Sequence, residues 1–280
     1  MQKKVLAVND ISCVGRCSLT VALPIISAAG VECSILPTAI LSTHTGGFSG
    51  FTFTDFSSEM LKIADHWKTL NLHFDSIYTG FLGSIEQVSI VKKIVGMFKD
   101  ENTKLIVDPA MADNGNMYSI FDLNFAQEMK KLCIGSDVII PNITEACLLA
   151  GVKYQTPPHS KEFIDSIIEN IRLLDVKSLV LTGVSYDNET LGALTYDYLN
   201  KKQSFYKREI IPDYFHGTGD CFASAFTASF VKGNTLEQSA KIAVDFTVDS
   251  ILETVKYQGI DKKYGVNFEE ALPKFINTLS

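Results

Sequence analysis

The glycine-rich segment His216-Gly217-Thr218-Gly219-Asp220 immediately precedes a run of small and apolar residues that is typical of a helix. Two glycines allow a tight turn, and the free N–H groups at a helix start bind anions. Asp220 would ordinarily cap such a helix, but behind two glycines it can face a substrate and accept a proton. An anion-binding turn that carries a base suits phosphoryl transfer to an alcohol, so the segment predicts a small-molecule kinase.

Polar side chains and glycines also follow six short, mostly apolar runs of the chain. Because ligands of a parallel sheet lie beyond the carboxyl ends of its strands, we expect these residues to meet at one edge. A single instance would be read as an ordinary turn, but repetition at six strand ends favours a site. The segments are 9–12, 42–47, 79–84, 108–109, 141–145 and 182–183.

The apolar runs themselves predict strands that are buried on both faces, because most do not alternate with polar residues. Longer patterns with helical spacing separate them. This alternation predicts an α/β fold with three layers, α/β/α, in which helices flank a mainly parallel central sheet. We expect one domain over residues 1–280. The predicted strands are 4–8, 32–36, 76–78, 104–107, 137–140 and 178–181, with a late hairpin at about 190–198 and 203–209.

Three helices can be placed from local signals. One follows a possible cap at Asp55, and another follows Asn234 or Thr235. A third covers residues 17–29 and contains Pro24, and an interior proline costs about 3 kcal/mol. We therefore expect a kink or a late start in that helix.

Composition limits the classes of partner. The formal charge is 25 − 32 = −7 without a long basic run, which argues against nucleic acid or an anionic membrane. The chain has no run of about 18 apolar residues and no signal-peptide pattern at its start. The six scattered cysteines lack zinc-site spacing and favour buried free thiols, so we expect a cytoplasmic protein. His66, His73 and His159 are expected at the surface.

Neither common nucleotide fingerprint, G-x-x-x-x-G-K-[ST] or G-x-G-x-x-G after a strand, is present. A nucleotide would have to be held by the turn Gly217–Gly219 instead.

Taken together, these motifs resemble the ribokinase superfamily and, within it, the pyridoxal/pyridoxamine (vitamin B6) kinases, over essentially the whole chain. Pro141-Asn142-x-x-Glu145 and Gly217-Thr218-Gly219-Asp220 are similar to motifs of the superfamily. Ser42-x-His44-Thr45-Gly46 and Thr79-Gly80-Phe81-Leu82-Gly83-Ser84-x-Glu86-Gln87 point to the vitamin B6 branch. Asp108-Pro109-x-Met111 belongs to the same resemblance.

The resemblance implies ATP-dependent phosphorylation of the 5′-hydroxyl of pyridoxal, pyridoxamine or pyridoxine, in salvage of pyridoxal 5′-phosphate. It also implies a divalent cation such as Mg²⁺ and a homodimer, and it leaves a monovalent cation open. Asp220 would be the base, and the N–H groups of Gly217, Thr218 and Gly219 would stabilise the transferred phosphoryl group. Since an Asp pKa of about 3.9 lies far below that of an alcohol, Asp220 would accept the proton late.

The resemblance also assigns binding residues. Asp108 and Glu145 would lie at the metal and phosphate end of the site, with Asn142 orienting Glu145 or a metal-bound water. Alternatively, Asn142 to Glu145 simply starts a helix. The implied ATP contacts are Asp108, Tyr118, Asn142, Glu145, Thr182, Gly217 and Gly219.

On the vitamin side, the implied substrate contacts are Asp10, Thr45, Gly46, Phe81 and Asp220. Position 10 is often serine and position 81 often tyrosine in relatives. An aspartate at position 10 could attract a cationic group, which favours pyridoxamine or pyridoxine over pyridoxal. His44 and His216 lie beside the proposed site without an assigned role.

Two alternatives remain. A sister kinase could act on hydroxymethylpyrimidine or another small alcohol. A vitamin-binding regulatory protein could keep the fold without the activity. Residues 43–53 and 111–119 are the expected lids, because glycine and polar residues cluster there.

Overall fold

A central sheet runs through the computed structural model, which describes residues 2–257 and 259–279. Six neighbouring strands are parallel, and antiparallel strands extend the sheet at both sides. Its strands are β1 (Lys4–Val14), β2 (Glu32–Thr43), β3 (Phe53–Asp55), β4 (Ser76–Thr79), β5 (Lys104–Val107), β8 (Val138–Ile139), β9 (Ser178–Val184), β10 (Thr190–Asp197) and β11 (Lys202–Glu209); a separate hairpin pairs β6 (Ala112–Asp113) with β7 (Asn116–Met117). The described part of the sheet has the order β11-β10-β9-β8-β5-β4-β1-β2-β3.

Helices cover both faces of the sheet, because its strands are apolar on both sides. They are α1 (Leu19–Ala28), α2 (Ser57–Thr69), α3 (Ile85–Phe98), α4 (Leu123–Cys133), α5 (Ile143–Ala150), α6 (Lys161–Ile171), α7 (Thr218–Val231), α8 (Leu236–Val255) and α9 (Phe268–Thr278). Helices α2 to α6 contribute to one hydrophobic core, and α1, α7, α8 and α9 contribute to the other. The predicted three-layer, mainly parallel α/β fold is confirmed.

Local signals placed the helix starts to within one or two residues. Helix α1 begins late, at Leu19, with Pro24 inside it. Helix α8 is capped by Thr235 rather than Asn234, in a capping box with Gln238. Asp55 lies one residue before the cap position of α2, and its Oδ1 accepts the N–H of Ser57 at 2.6 Å. Strands β1 and β2 run several residues further than predicted, and β3 was not predicted.

The expected surface position of His159 is wrong. Its side chain is buried, because it stacks on Phe163 with the ring centroids 5.5 Å apart, and Nδ1 accepts the N–H of Ser185. His66 and His73 are exposed as expected. All six cysteines are free; Cys13 is exposed, Cys33 is partly buried and the others are buried. Among the described residues, the helices are all too short or too polar to cross a membrane. The single domain over 1–280 stays a prediction.

Candidate active site

The predicted base lies in the first turn of α7. Gly217 precedes the helix with φ 74°, and a Cβ there would lie 2.0 Å from the carbonyl oxygen of Arg16. Only glycine fits at this position, because the turn passes very close to the segment before α1. The N–H groups of Gly219 and Asp220 lie where a helix offers them no carbonyl partner. The geometry therefore leaves N–H donors available to an anion beside the Asp220 carboxylate.

Asp220 is partly buried, and burial raises its pKa from 3.8 to about 6. The backbone N–H of Ser18 and the side chain of Asn9 face the carboxylate and limit that rise. Ser18 has φ 60° and ψ −136°, a strained conformation for a residue other than glycine. Strain of this kind persists where surrounding structure demands it, and here it occurs beside the candidate base.

Asp10 lies near Asp220. It is the last residue of the continuously buried stretch of β1. The side chain is 3% exposed, and the Ser12 hydroxyl donates to its Oδ2 at 3.2 Å. Burial raises the pKa of Asp10 to about 7, the Ser18 side chain opposes the rise, and the charge of Asp220 adds to it. Two predicted site residues from distant parts of the chain are thus electrostatically coupled.

The carboxyl ends of neighbouring strands bring the other predicted residues to the same edge. Asp108 follows β5, Asn142 follows β8 and Thr182 is in β9. Burial is the main cause that raises the pKa of Asp108, and the charges of Glu145 and Asp220 add to the rise. Its carboxylate has no hydrogen-bond or ion-pair partner among residues 2–257 and 259–279. Asp108 is therefore free to meet a cation.

Glu145 differs from Asp108 because backbone N–H groups bind its carboxylate. Its carboxylate accepts the N–H groups of Met111 at 3.0 Å, Ala112 at 3.5 Å and Asn142 at 2.9 Å. The Asn142 side chain accepts the N–H of Glu145 and donates to the carbonyl of Ala112 at 2.7 Å. The pair is a capping box for α5, so the alternative that these residues start a helix is realised. Glu145 also fixes the segment that carries the hairpin β6–β7.

An oxygen-rich site with Asp108 suits Mg²⁺, which binds through one or two carboxylates and substrate phosphates. Within the described part of the chain, no group of three or more His, Cys, Asp or Glu side chains is arranged to hold a metal alone. The residues present thus fit a cation that arrives with phosphate, held by Asp108 with Glu145 behind it.

An aromatic series joins the predicted vitamin side to the predicted nucleotide side. The Phe81 ring lies 5.5 Å from that of Phe121, and Tyr118 lies 6.3 Å from Phe121 between ring centroids. Phe121 in turn stacks on Phe125 at 3.8 Å. Phe121 was not predicted, although aromatic residues at 118, 121 and 125 have the spacing of one helical face.

His44 and His216 connect the loop after β2 to the turn before α7. The His44 ring Nδ1 accepts the N–H of Gly46, and Nε2 lies 2.5 Å from the carbonyl oxygen of Lys263. Burial lowers the pKa of His44, so the ring is neutral with its proton on Nε2. A Cβ on Gly46 would lie 2.7 Å from His216. Thr45 is partly buried in the same loop, between His44 and Gly46.

The second expected lid is the hairpin β6–β7, which contacts the same turn. The Tyr214 hydroxyl donates to Asp113 at 3.0 Å, and its ring lies 4.9 Å from that of His216. Tyr118 follows this hairpin, and its N–H donates to the carbonyl of Met111 at 2.9 Å. Both predicted lids therefore meet at the segment that leads into Asp220.

This fold and site define a kinase of small molecules, and the chain belongs to the phosphomethylpyrimidine kinase family, which matches residues 23–265. A candidate phosphomethylpyrimidine kinase from Bacteroides thetaiotaomicron, in a crystal form with pyridoxal, is 34% identical with a TM-score of 0.92, covering 98% of this chain and 96% of that one. Pyridoxal kinase from Lactobacillus plantarum is 28% identical with a TM-score of 0.89, covering 99% and 98%.

A pyridoxal kinase from Dictyostelium discoideum is 28% identical over 243 residues, 80% of this chain and 77% of its own length. The resemblance to ribokinase-like vitamin B6 kinases and the prediction of a small-molecule kinase are confirmed. The roles of individual site residues stay predictions.

Proposed function

We propose that the protein transfers the terminal phosphoryl group of ATP to the 5′-hydroxyl of pyridoxal, pyridoxine or pyridoxamine, in pyridoxal 5′-phosphate salvage. The observation that carries the proposal is the position of Asp220, in the first turn of α7 behind Gly217 and close to Asp10. The pyridoxal-bound relative, which matches nearly the whole chain, supports the choice of substrate.

In this proposal the N–H groups of the turn Gly217–Gly219 bind the phosphoryl group, and Asp220 orients the alcohol. The hydroxyl oxygen bonds to the terminal phosphorus while the bond from phosphorus to the leaving ADP oxygen breaks. Asp220 takes the hydroxyl proton as the new bond forms. Mg²⁺ held at Asp108 supplies positive charge to the phosphates when bound.

The vitamin ring would lie between Asp10, Phe81 and the loop with Thr45 and Gly46. ATP would approach from Asp108, Tyr118 and Thr182. We also propose a homodimer, as the family resemblance implies, and a cytoplasmic location, which the free cysteines favour.

A hydroxymethylpyrimidine substrate is the second candidate, because the matching family is the phosphomethylpyrimidine kinases. ATP consumption with pyridoxal, pyridoxine, pyridoxamine and hydroxymethylpyrimidine, measured side by side with Mg²⁺ and with a chelator, tests both. We expect the highest kcat/KM with a B6 vitamer and no turnover with chelator. A preference for hydroxymethylpyrimidine would replace the proposal with the second candidate. Vitamer binding without any turnover would favour a regulatory protein.

A further inference from the structure

Asn9 is a buried amide in the predicted segment 9–12, to which neither the motifs nor the resemblance assigned a role. It lies in β1 directly before Asp10 and is 0% exposed. Its Oδ1 accepts the N–H of Asp10 at 2.9 Å and the N–H of Phe81 at 2.8 Å. These two bonds fix the rotation of the amide, because only oxygen can accept them. The nitrogen Nδ2 must therefore point to the opposite side.

The nitrogen has been left without an ordinary partner. Nδ2 is buried and makes no hydrogen bond among the described residues. Gly80 packs directly against it, since a Cβ on Gly80 would lie 2.3 Å from Nδ2. An unpaired buried donor costs about 1–3 kcal/mol. Nδ2 therefore calls for an acceptor that is supplied when the site is occupied.

The Asn9 side chain lowers the pKa of the Asp220 carboxylate, so the amide lies near that carboxylate, while Nδ2 makes no hydrogen bond with it in this structure. We propose that Asn9 is a positioning residue for Asp220: when substrate is bound, Nδ2 donates to the carboxylate and holds it in the orientation that receives the substrate's hydroxyl proton. This inference rests on the proposed kinase function. The same amide holds the Phe81 backbone, so it sets the base and the predicted ring contact relative to each other.

A double-mutant cycle tests the inference. For each variant of the full chain, kcat and KM are measured with ATP and pyridoxal. Asn9→Ala should lower kcat by about 10- to 100-fold, the value of one hydrogen bond to a charged group, with a smaller change in KM. In the Asp220→Asn background the same substitution should cause no further loss, because the group it positions is gone. Equal losses in both backgrounds would overturn the inference.

Gln87 supplies the matched control. It is a second fully buried amide, and its Oε1 accepts the N–H of Gly83 at 2.7 Å, so it supports the same loop. Its other bonds go to the carbonyl of Thr38 and to Asp55. Any loss from Gln87→Ala should be the same in the wild-type background and in the Asp220→Asn background.

Asn9→Asp keeps the inference testable if the alanine variant fails to fold. The new side chain retains an oxygen for both backbone N–H groups but presents an acceptor to Asp220 in place of a donor. We expect a loss in kcat at alkaline pH at least as large as with alanine, because like charges repel. Wild-type kcat in this variant would show that Asn9 only supports the loop. Failure of the wild type on every alcohol would instead overturn the proposed function.

Discussion

Carboxylates at the two ends of the parallel strands have opposite surroundings. At the amino ends, Asp137 is 4% exposed and accepts the N–H of Leu105 and the Lys177 ammonium at 2.9 and 2.8 Å. Lys99 lies 3.2 Å away. Burial alone would raise the pKa of Asp137, but these partners together hold it below its usual value.

At the carboxyl ends, Asp10, Asp108 and Asp220 have raised pKa values, for which burial is the largest cause. No lysine or arginine within residues 2–257 and 259–279 pairs with them. Buried charge without a partner is costly. The amino ends of the strands are thus arranged for stability, while the carboxyl ends hold carboxyl groups whose charged form a bound cation would stabilise.

Asp220→Asn should have the largest effect. Loss of the base should lower kcat by about 10²- to 10⁴-fold. Stability should rise, because the native pKa of about 6 exceeds the ordinary 3.8 and ionisation at neutral pH therefore opposes folding. With partial exposure taken into account, we expect a gain of about 1–2 kcal/mol at neutral pH that disappears below pH 4.

Kinetics combined with denaturant unfolding at neutral and acidic pH measures both effects. An inactive variant whose stability falls at neutral pH would mean that Asp220 is structurally paired, and the contrast between the strand ends would fail.

Asp137→Ala tests the other end. The N–H of Leu105 would lose its acceptor and three lysines would lose their common carboxylate, since Lys104 also lies 3.9 Å away. We expect unfolding to become easier by about 2–3 kcal/mol, with kcat unchanged in the folded enzyme. Asp137→Asn, which keeps an acceptor oxygen, should lose less. A kcat that falls while the fold persists would show that this end also serves catalysis.

The strand ends could be predicted because they depend on local patterns. Apolar runs mark the strands, and the topology of a parallel sheet alone brings Asp10, Asp108 and Thr182 to one edge. The glycine-rich turn before α7 was likewise visible, since Gly217 is required by the carbonyl of Arg16 beside it.

Contacts between distant segments could not be predicted. Asn9 is informative only because Gly80 packs against its amide and the Asp220 carboxylate lies nearby, and Ser18 only because its strained backbone faces Asp220. His159 was expected at the surface because the residues around it in the sequence do not indicate that Phe163 and Ser185 pack against it. Such features depend on the tertiary structure.

Asp108→Asn should have a smaller effect than the first two changes. Loss of one charge-assisted contact should raise the Mg²⁺ concentration for half-maximal activity roughly tenfold.

Glu145→Gln should instead lower stability, because an amide cannot accept all three backbone N–H groups that Glu145 now accepts. Titrations of activity with Mg²⁺, together with unfolding curves, separate the two. A larger Mg²⁺ effect from Glu145 would reverse the assignment.

Asp10→Ser should have the smallest effect, a change in preference among vitamers. Burial, the nearby Ser18 side chain and the charge of Asp220 together set the pKa of Asp10 at about 7. Above that pH its carboxylate attracts the aminomethyl cation of pyridoxamine, so the ratio of kcat/KM for pyridoxamine to that for pyridoxal should rise through neutrality. In the variant we expect a flat ratio, lower by roughly threefold to tenfold above neutrality.

The ratio is the useful quantity because Asp220 must ionise for every vitamer, so its own titration cancels. Changes in ATP binding and in the amount of folded enzyme affect both kcat/KM values equally, so they also cancel in the ratio. A ratio that rises with pH equally in both proteins would assign the titration to a group other than Asp10. In that case the carboxylate at position 10 would contribute electrostatic cost at this end of the sheet without selecting the substrate.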